Sequence, residues 1–252
     1  YAPAITKSIA MHRSFSQDTR FILAILIPIM ILIGLFIYFP AVDTFQTSLT
    51  SENLRINRPP KFILFENYTK LLTDDLFWEV TGRSLLLVLV ILPLEIMVGF
   101  LIALLLNMQF PGRGIIRTLV IVPWMIPPVV NGFLWGWVLN GDYGALNGLL
   151  YQFGIISEYQ YWLQEPTAQV FWVAIVQTWT RFAFPMIILL AGMQAISEDL
   201  YAAATVDGAG AWAQLRYITV PLLLPAIGIA LVVEFIAAFQ IFDVVWTLTA
   251  GG

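Results

Sequence analysis

The sequence predicts an all-α protein, a polytopic bundle of transmembrane helices, and three observations lead there. Apolar residues make up 60% of the 252 and charged residues only 11%, with a mean hydropathy of +0.84; a soluble domain has roughly 45–50% and about 25%. Five apolar runs, 21–39, 84–106, 119–139, 168–192 and 222–242, are each long enough to cross a bilayer core, which takes ~20 helical residues. Only Glu95, Arg181 and Glu234 place a charge inside them. So much apolar surface has nowhere to go in water, whereas a lipid-facing surface accounts for it. The run lengths fit helices rather than the ~10-residue alternating strands of a barrel. The whole of 1–252 reads as one transmembrane domain.

Run 21–39 carries no charge. It is longer than a secretion-signal core and no small-x-small cleavage site follows it, so it reads as an uncleaved span. Tyr1 stands where a Met is usual, and the N-terminus is expected to be incomplete. Run 84–106 carries Glu95, read as a helix–helix hydrogen-bonding group. Run 119–139 contains Pro123, Pro127, Pro128 and Asn131. Its prolines should bend or break the helix, either as a packed kink or as a helix lining a pathway, where freed carbonyls meet water. Runs 168–192 and 222–242 carry Arg181 and Glu234 about midway, and a mutual ion pair is geometrically reasonable. The nine tryptophans read mostly as interfacial anchors, and Asp243 as a cap or pairing group near the outer end of the fifth span.

Orientation rests on the connections. Lys7, Arg13, Arg20, Arg113 and Arg117 favour a cytoplasmic N-terminus and 107–118 turn, although 41–83 holds Arg55, Arg58, Lys61, Lys70 and Arg83. Loop 140–167 has Asp142, Glu158 and Glu165 with no cation, which places it outside.

Several function classes are excluded. With no cysteine and a single histidine, His12, a disulfide is impossible and no metal site is expected. The net charge of −4 offers no basic footprint, so nucleic acid is not a partner. No Ser-His or paired-carboxylate motif appears, and no catalytic residue is assigned. A phosphate-binding loop needs Gly before its Lys, but Lys7, Lys61 and Lys70 follow Thr6, Pro60 and Thr69.

The loop 193–221 has local structure of its own. Ser197 can cap a helix whose first turn holds Glu198 and Asp199, favourable to the dipole. Residues 200–206 include Ala202, Ala203 and Ala204, strong helix formers. Asp207 and Gly208 then break the helix, because Gly tolerates the left-handed conformation of a sharp turn. Residues 211–218 can form a second short helix before Pro221 starts the next span. A helical knob between two spans suits docking into another protein.

Four stretches carry a family resemblance. They are Phe65-Glu66-Asn67-Tyr68 through Leu71-Leu72 with Phe77-Trp78; Gly112-Arg113-Gly114 with Arg117, Pro123-Trp124 and Pro127-Pro128; Asp199 to Ala204 with Asp207-Gly208-Ala209, Ile218, Pro221 and Pro225; and Phe242-Asp243 with Leu248-Thr249, Gly251 and Gly252. In that order they resemble the permease subunits of bacterial binding-protein-dependent ATP-binding-cassette sugar importers, close to the maltose-importer membrane subunits. The third stretch is similar to the cytoplasmic EAA loop of that class, which transmits closure of the ATPase subunit. The fourth, with the Tyr68 region, points to the carbohydrate branch.

The resemblance implies a type I importer fold in the bacterial inner membrane, with a sixth span beyond Gly252. It also implies a second homologous permease subunit, cytoplasmic ATP-binding subunits carrying ATP and Mg, an extracytoplasmic solute-binding protein and surrounding lipid. Its coupling residues fall on Asp199, Ala202, Ala203, Ala204, Asp207, Gly208, Ala209 and Pro221. Ala202 stands where the family has an acidic residue, and Glu198 or Asp199 is the nearest substitute. Carried over likewise, solute-lining positions fall on Gln177, Thr180, Arg181, Phe184, Glu234, Ala237, Ala238 and Ile241, with Gln240 adjacent. Planar polar groups and aromatic faces are what bind sugars, and Arg181 can also meet an anionic group. The alternatives are a permease of the same class for a non-sugar solute, or a secondary transporter, against which the coupling loop argues.

Overall fold

A computed structural model describes residues 19–52 and 59–250, and the described residues are almost entirely helical, with a lone β-bridge between Thr50 and Phe62. Lys7, His12, Arg13, Arg55, Arg58, Gly251 and Gly252 lie outside the described residues. The chain forms two compact units, Tyr1–Glu79 and Val80–Gly252.

In the first unit, helix α1 (Thr19–Ser48) runs 30 residues with its most apolar window wholly unburied. The stretch Gly34–Tyr38 is wound as a π turn. It lies just before Pro40, which has no N–H for an ordinary helical bond, and the local widening lets the helix continue. Helix α2 (Glu66–Leu72) is clasped to the end of α1: Asn67 Nδ2 donates to the carbonyls of Ser48 (2.8 Å) and Thr50 (2.9 Å), and the Tyr68 and Ser48 hydroxyls share a bond of 2.6 Å. The Tyr68 region of the first resembling stretch is thus a local structural clasp.

Helix α3 (Asp75–Asn107) carries the second run across Pro93. The third run is broken as its prolines predict: α4 (Arg113–Met125) and α5 (Pro128–Val138) meet at 96°. Ile126 and Pro127 adopt extended ψ values of 126° and 136° there, as expected for residues that each precede a proline. The short helix α6 (Ala145–Gln152) follows.

The fourth run is also bent, by 50°, into α7 (Pro166–Arg181) and α8 (Ala183–Gln194). Pro185 supplies the reason, since it cannot donate to the Arg181 carbonyl and its ring crowds that oxygen. Helix α9 (Glu198–Val206) precedes α10 (Ala211–Phe239), and α11 (Asp243–Thr249) closes the described chain. The second short helix expected over 211–218 is not separate. It runs through a π turn, Leu215–Thr219, directly into the fifth span. Pro221 therefore sits within one continuous helix, and the π turn relieves the bond that Pro221 cannot make.

The core of the second unit lies where α3 crosses α8. Gly99 lets the backbones close, because a Cβ there would fall 2.9 Å from Met186 N and 3.1 Å from the Phe182 carbonyl. Below it Ala103, Leu106, Met186, Leu189, Met193 and Leu223 form one buried cluster. A second cluster joins Leu139, Val173, Val176, Val244 and Leu248, with α11 packed on α5 and α7.

Candidate functional site

The proline break and the bend at Phe182 bring polar residues of four helices together in an apolar surround. Arg181, at the end of α7, donates from Nε to Glu234 Oε2 of α10 at 2.8 Å. The Arg181 side chain is 26% exposed and that of Glu234 is fully buried. The remaining oxygen of Glu234, Oε1, is buried away from solvent.

Glu95, from α3, lies against this pair. It is 1% exposed, its carboxyl lies within hydrogen-bonding reach of Glu234, and Arg181 also acts on it. The sequence reading of Glu95 as a hydrogen-bonding group between helices agrees with its approach to Glu234, which joins α3 to α10. Its only signal in the sequence is a charge in an otherwise apolar run, shared with Arg181 and Glu234.

Asn131 is a second residue that sequence reasoning left out of the site. It is 1% exposed, in the first turn of α5, and its Nδ2 donates to Thr180 Oγ1. That hydroxyl in turn donates to the Val176 carbonyl at 2.8 Å. The break at Pro127 and Pro128 thereby aims α5 at the residue next to Arg181. Gln177, one turn back along α7, is buried.

Aromatic rings pack against one another along these helices. Phe184 stands 6.2 Å from Trp124 across the break, and Trp179 lies 6.3 Å from both Phe182 and Trp135. Trp124 and Trp179 are both substantially exposed. Of the remaining lining candidates, Ala238 is packed in an apolar cluster with Val88, Ile91 and Ala174, Ala237 and Ile241 are half-buried, and Gln240 is exposed at the end of α10. The hydroxyl, amide, guanidinium and carboxylate groups therefore concentrate at Asn131, Gln177, Thr180, Arg181, Glu234 and Glu95.

The second candidate region is the α9–α10 loop. Ser197 caps α9, its Oγ accepting from Asp199 N at 3.3 Å, with Glu198 and Asp199 in the first turn. Gly208 adopts φ +81°. The Ala209 amide donates back to the Ala204 carbonyl at 2.8 Å and the Gly208 amide to Thr205 at 3.1 Å. This is the paired closure typical of a helix ending on a left-handed Gly. Side chains then tie the turn to α10: Gln214 Nε2 donates to Thr205 Oγ1 (2.9 Å) and the Ala209 carbonyl (3.2 Å), and Tyr201 and Thr219 share a hydroxyl bond of 2.9 Å. Asp199, Ala202, Ala203 and Asp207 are exposed, Ala204 and Ala209 half-buried, and Pro221 is exposed on α10. Val206 (88%), Trp212 (71%) and Tyr217 (72%) leave a large apolar surface uncovered.

Residues 95–252 match the family described as the binding-protein-dependent transport system inner membrane component. The trehalose/maltose transport system permease protein MalF of Thermococcus litoralis is 34% identical over 227 residues, covering 90% of this chain and 76% of that protein. The sulfoquinovosyl glycerol transport system permease protein SmoG of Agrobacterium fabrum is 34% identical over 235 residues, with coverages of 93% and 76%. Among solved structures, a bacterial ABC transporter involved in the import of the acidic polysaccharide alginate superposes with a TM-score of 0.73. That match covers 94% of this chain and 84% of that chain at 24% identity. A second structure of the alginate transporter, also at TM-score 0.73, contains an alginate pentasaccharide-bound periplasmic protein.

Proposed function

This chain belongs to the binding-protein-dependent transport system inner membrane component family, and from that premise we propose that it is one permease subunit of an ATP-driven importer of sugars or sugar-like solutes. Its fold is that of type I ABC importer permeases, and it is a membrane component. On this reading a second permease subunit completes the pathway, an extracytoplasmic binding protein delivers the solute, and ATP and Mg bind a separate cytoplasmic subunit. The N-terminus and the α9–α10 loop face the cytoplasm.

The observation that carries the proposal is the α9–α10 knob. It satisfies its own backbone and side-chain polar groups and leaves Val206, Trp212 and Tyr217 exposed, which is how a preformed surface awaits a protein cleft. The knob leads without a break into α10, which carries Glu234, so a push on it acts on a rigid lever that reaches the ion pair. Ala202 removes the family's acidic contact, and the apolar face supports docking in its place.

The test is assembly and coupling. Purifying this chain with its partners should recover an ATPase subunit, and binding protein should stimulate ATP hydrolysis by the complex. Uptake independent of ATP and of any second polypeptide would favour a secondary transporter instead. Because the chain has no native cysteine, a single cysteine at position 212 tests sidedness. It should resist an impermeant thiol reagent added outside sealed cells, and labelling there would overturn the orientation.

A further inference from the structure

Arg181 is the only basic residue in the five apolar runs. Standing alone, it would favour an anionic sugar, since guanidinium pairs readily with carboxylate and sulfonate. It does not stand alone. Glu234 takes its Nε bond at 2.8 Å as a fully buried ion-pair partner, and Glu95 is buried against the same pair, its carboxyl within hydrogen-bonding reach of Glu234. Formal charge then follows by counting: Arg181 contributes plus one and its ion-pair partner Glu234 minus one. Glu95 contributes zero with a proton and minus one without. The sum is zero or negative, never positive.

We propose that Glu95 and Glu234 together act as a charge filter that makes the Arg181 site accept uncharged polyhydroxylated solutes and refuse carboxylated or sulfonated sugars. This deepens the reading above and rests on it, because it requires the cluster to face the solute. The chemistry fits a neutral sugar, because the part of Arg181 that remains exposed supplies N–H donors while its charge is already matched by buried Glu234. An anionic sugar would instead bring its charge beside two carboxyls in a medium of low dielectric, where like charges are costly.

The experiment uses the assembled complex, purified with its partner subunits, and reads thermal stabilisation against concentration for two disaccharides of similar size, uncharged maltose and dianionic digalacturonate. Wild type should respond to maltose, with digalacturonate at least about tenfold weaker in apparent affinity. In the double variant Glu95→Gln/Glu234→Gln, which frees the arginine's charge, the ratio of the two apparent affinities should shift at least about tenfold toward digalacturonate. A Glu95 that only packed helices together would move stability without moving this preference. Wild type taking digalacturonate as well as maltose overturns the filter and leaves the pathway reading standing; this comparison needs no variant to fold. A double variant with unchanged preference also overturns the filter. Silence toward both sugars, in wild type and variant alike, overturns the filter and the pathway reading together.

Discussion

The α9–α10 loop and the midspan cluster are opposite solutions in one chain. The loop spends its polar groups on itself: Ser197, Tyr201, Thr205, Gln214 and Thr219 are all bonded within a span of some twenty residues, while Val206, Trp212 and Tyr217 stay exposed. The cluster does the reverse. It buries the charges of Glu234 and Glu95 against Arg181, whose side chain alone keeps some exposure. Spare apolar area on a stiff knob suits a protein partner; a part-exposed guanidinium over buried carboxyls suits a hydroxylated solute. On the proposed reading, the difference separates the two halves of a transport cycle, force at the loop and solute at the cluster.

The strongest way to break this contrast is at the ion pair. Arg181→Ala leaves Glu234 buried and unpaired, which should cost about 3–5 kcal/mol and abolish uptake. Glu234→Ala should be milder in stability, because Arg181 retains some access to solvent. The double variant should recover much of the stability without recovering uptake, a coupling that a double-mutant cycle measures. Wild-type uptake in both single variants would remove the cluster from the pathway.

The loop should break differently. Gly208 has open space around its α-carbon, so the penalty for Gly208→Val is purely its left-handed backbone, on the order of 1–2 kcal/mol. That is too little to unfold the protein and enough to misdirect the start of α10. The chain should insert normally while ATPase association and binding-protein-stimulated hydrolysis both fall. If Gly208→Val keeps both at wild-type level, the loop does not couple.

The two regions also differ in how far the sequence reveals them. The loop is written in local signals, a cap, an alanine run and an Asp-Gly stop, and these formed as read. The π turn was not legible, because Pro221 alone argues for a helix start and only the packing of α10 on α8 favours continuity. At the cluster the pairing of Arg181 with Glu234 was one of several options open to two midspan charges. The parts played by Glu95 and Asn131 depend on a crossing at Gly99 and a 96° break whose direction no local pattern encodes. The bend at Phe182 had a signal, Pro185, inside a run that otherwise reads as one straight span.

Asn131 allows a finer test of the same contrast. Asn131→Ala removes the donor to Thr180 but spares the hydroxyl's own bond to Val176, so the stability loss should be modest, about 1 kcal/mol. The effect should instead appear in apparent solute affinity, as α5 loses its tether to the residue beside Arg181. Loss of ATPase association with unchanged affinity would place Asn131 in the coupling path rather than at the solute.

The smallest effect is expected in a third region, the loop between α5 and α7, which shares the α9–α10 loop's self-sufficiency but neither proposed role. Buried Asn147 holds it, donating to the Gln160 carbonyl at 2.9 Å and accepting from Gln160 N and Trp162 Nε1 at 3.1 and 3.0 Å. On its surface the Tyr161 hydroxyl donates to Asp142 Oδ1 at 2.8 Å, with the ring laid over Gly141. That bond, and then the Asp142 charge, hold the Tyr161 phenol above its ordinary value of 10.0. The sign follows from which form is favoured. A phenol whose pKa is raised by folding is stabilised in its neutral form, so its contribution is complete below pH 10 and disappears as pH rises through the raised value. Difference absorbance between wild type and Tyr161→Phe should therefore show a phenolate appearing above pH 10, and Asp142→Asn should bring it back toward the ordinary range. At neutral pH, Tyr161→Phe should leave uptake and hydrolysis unchanged, because the Asn147 bonds carry the loop. A transport defect in Tyr161→Phe would instead mean that this loop takes part in the cycle, as a contact for the binding protein would.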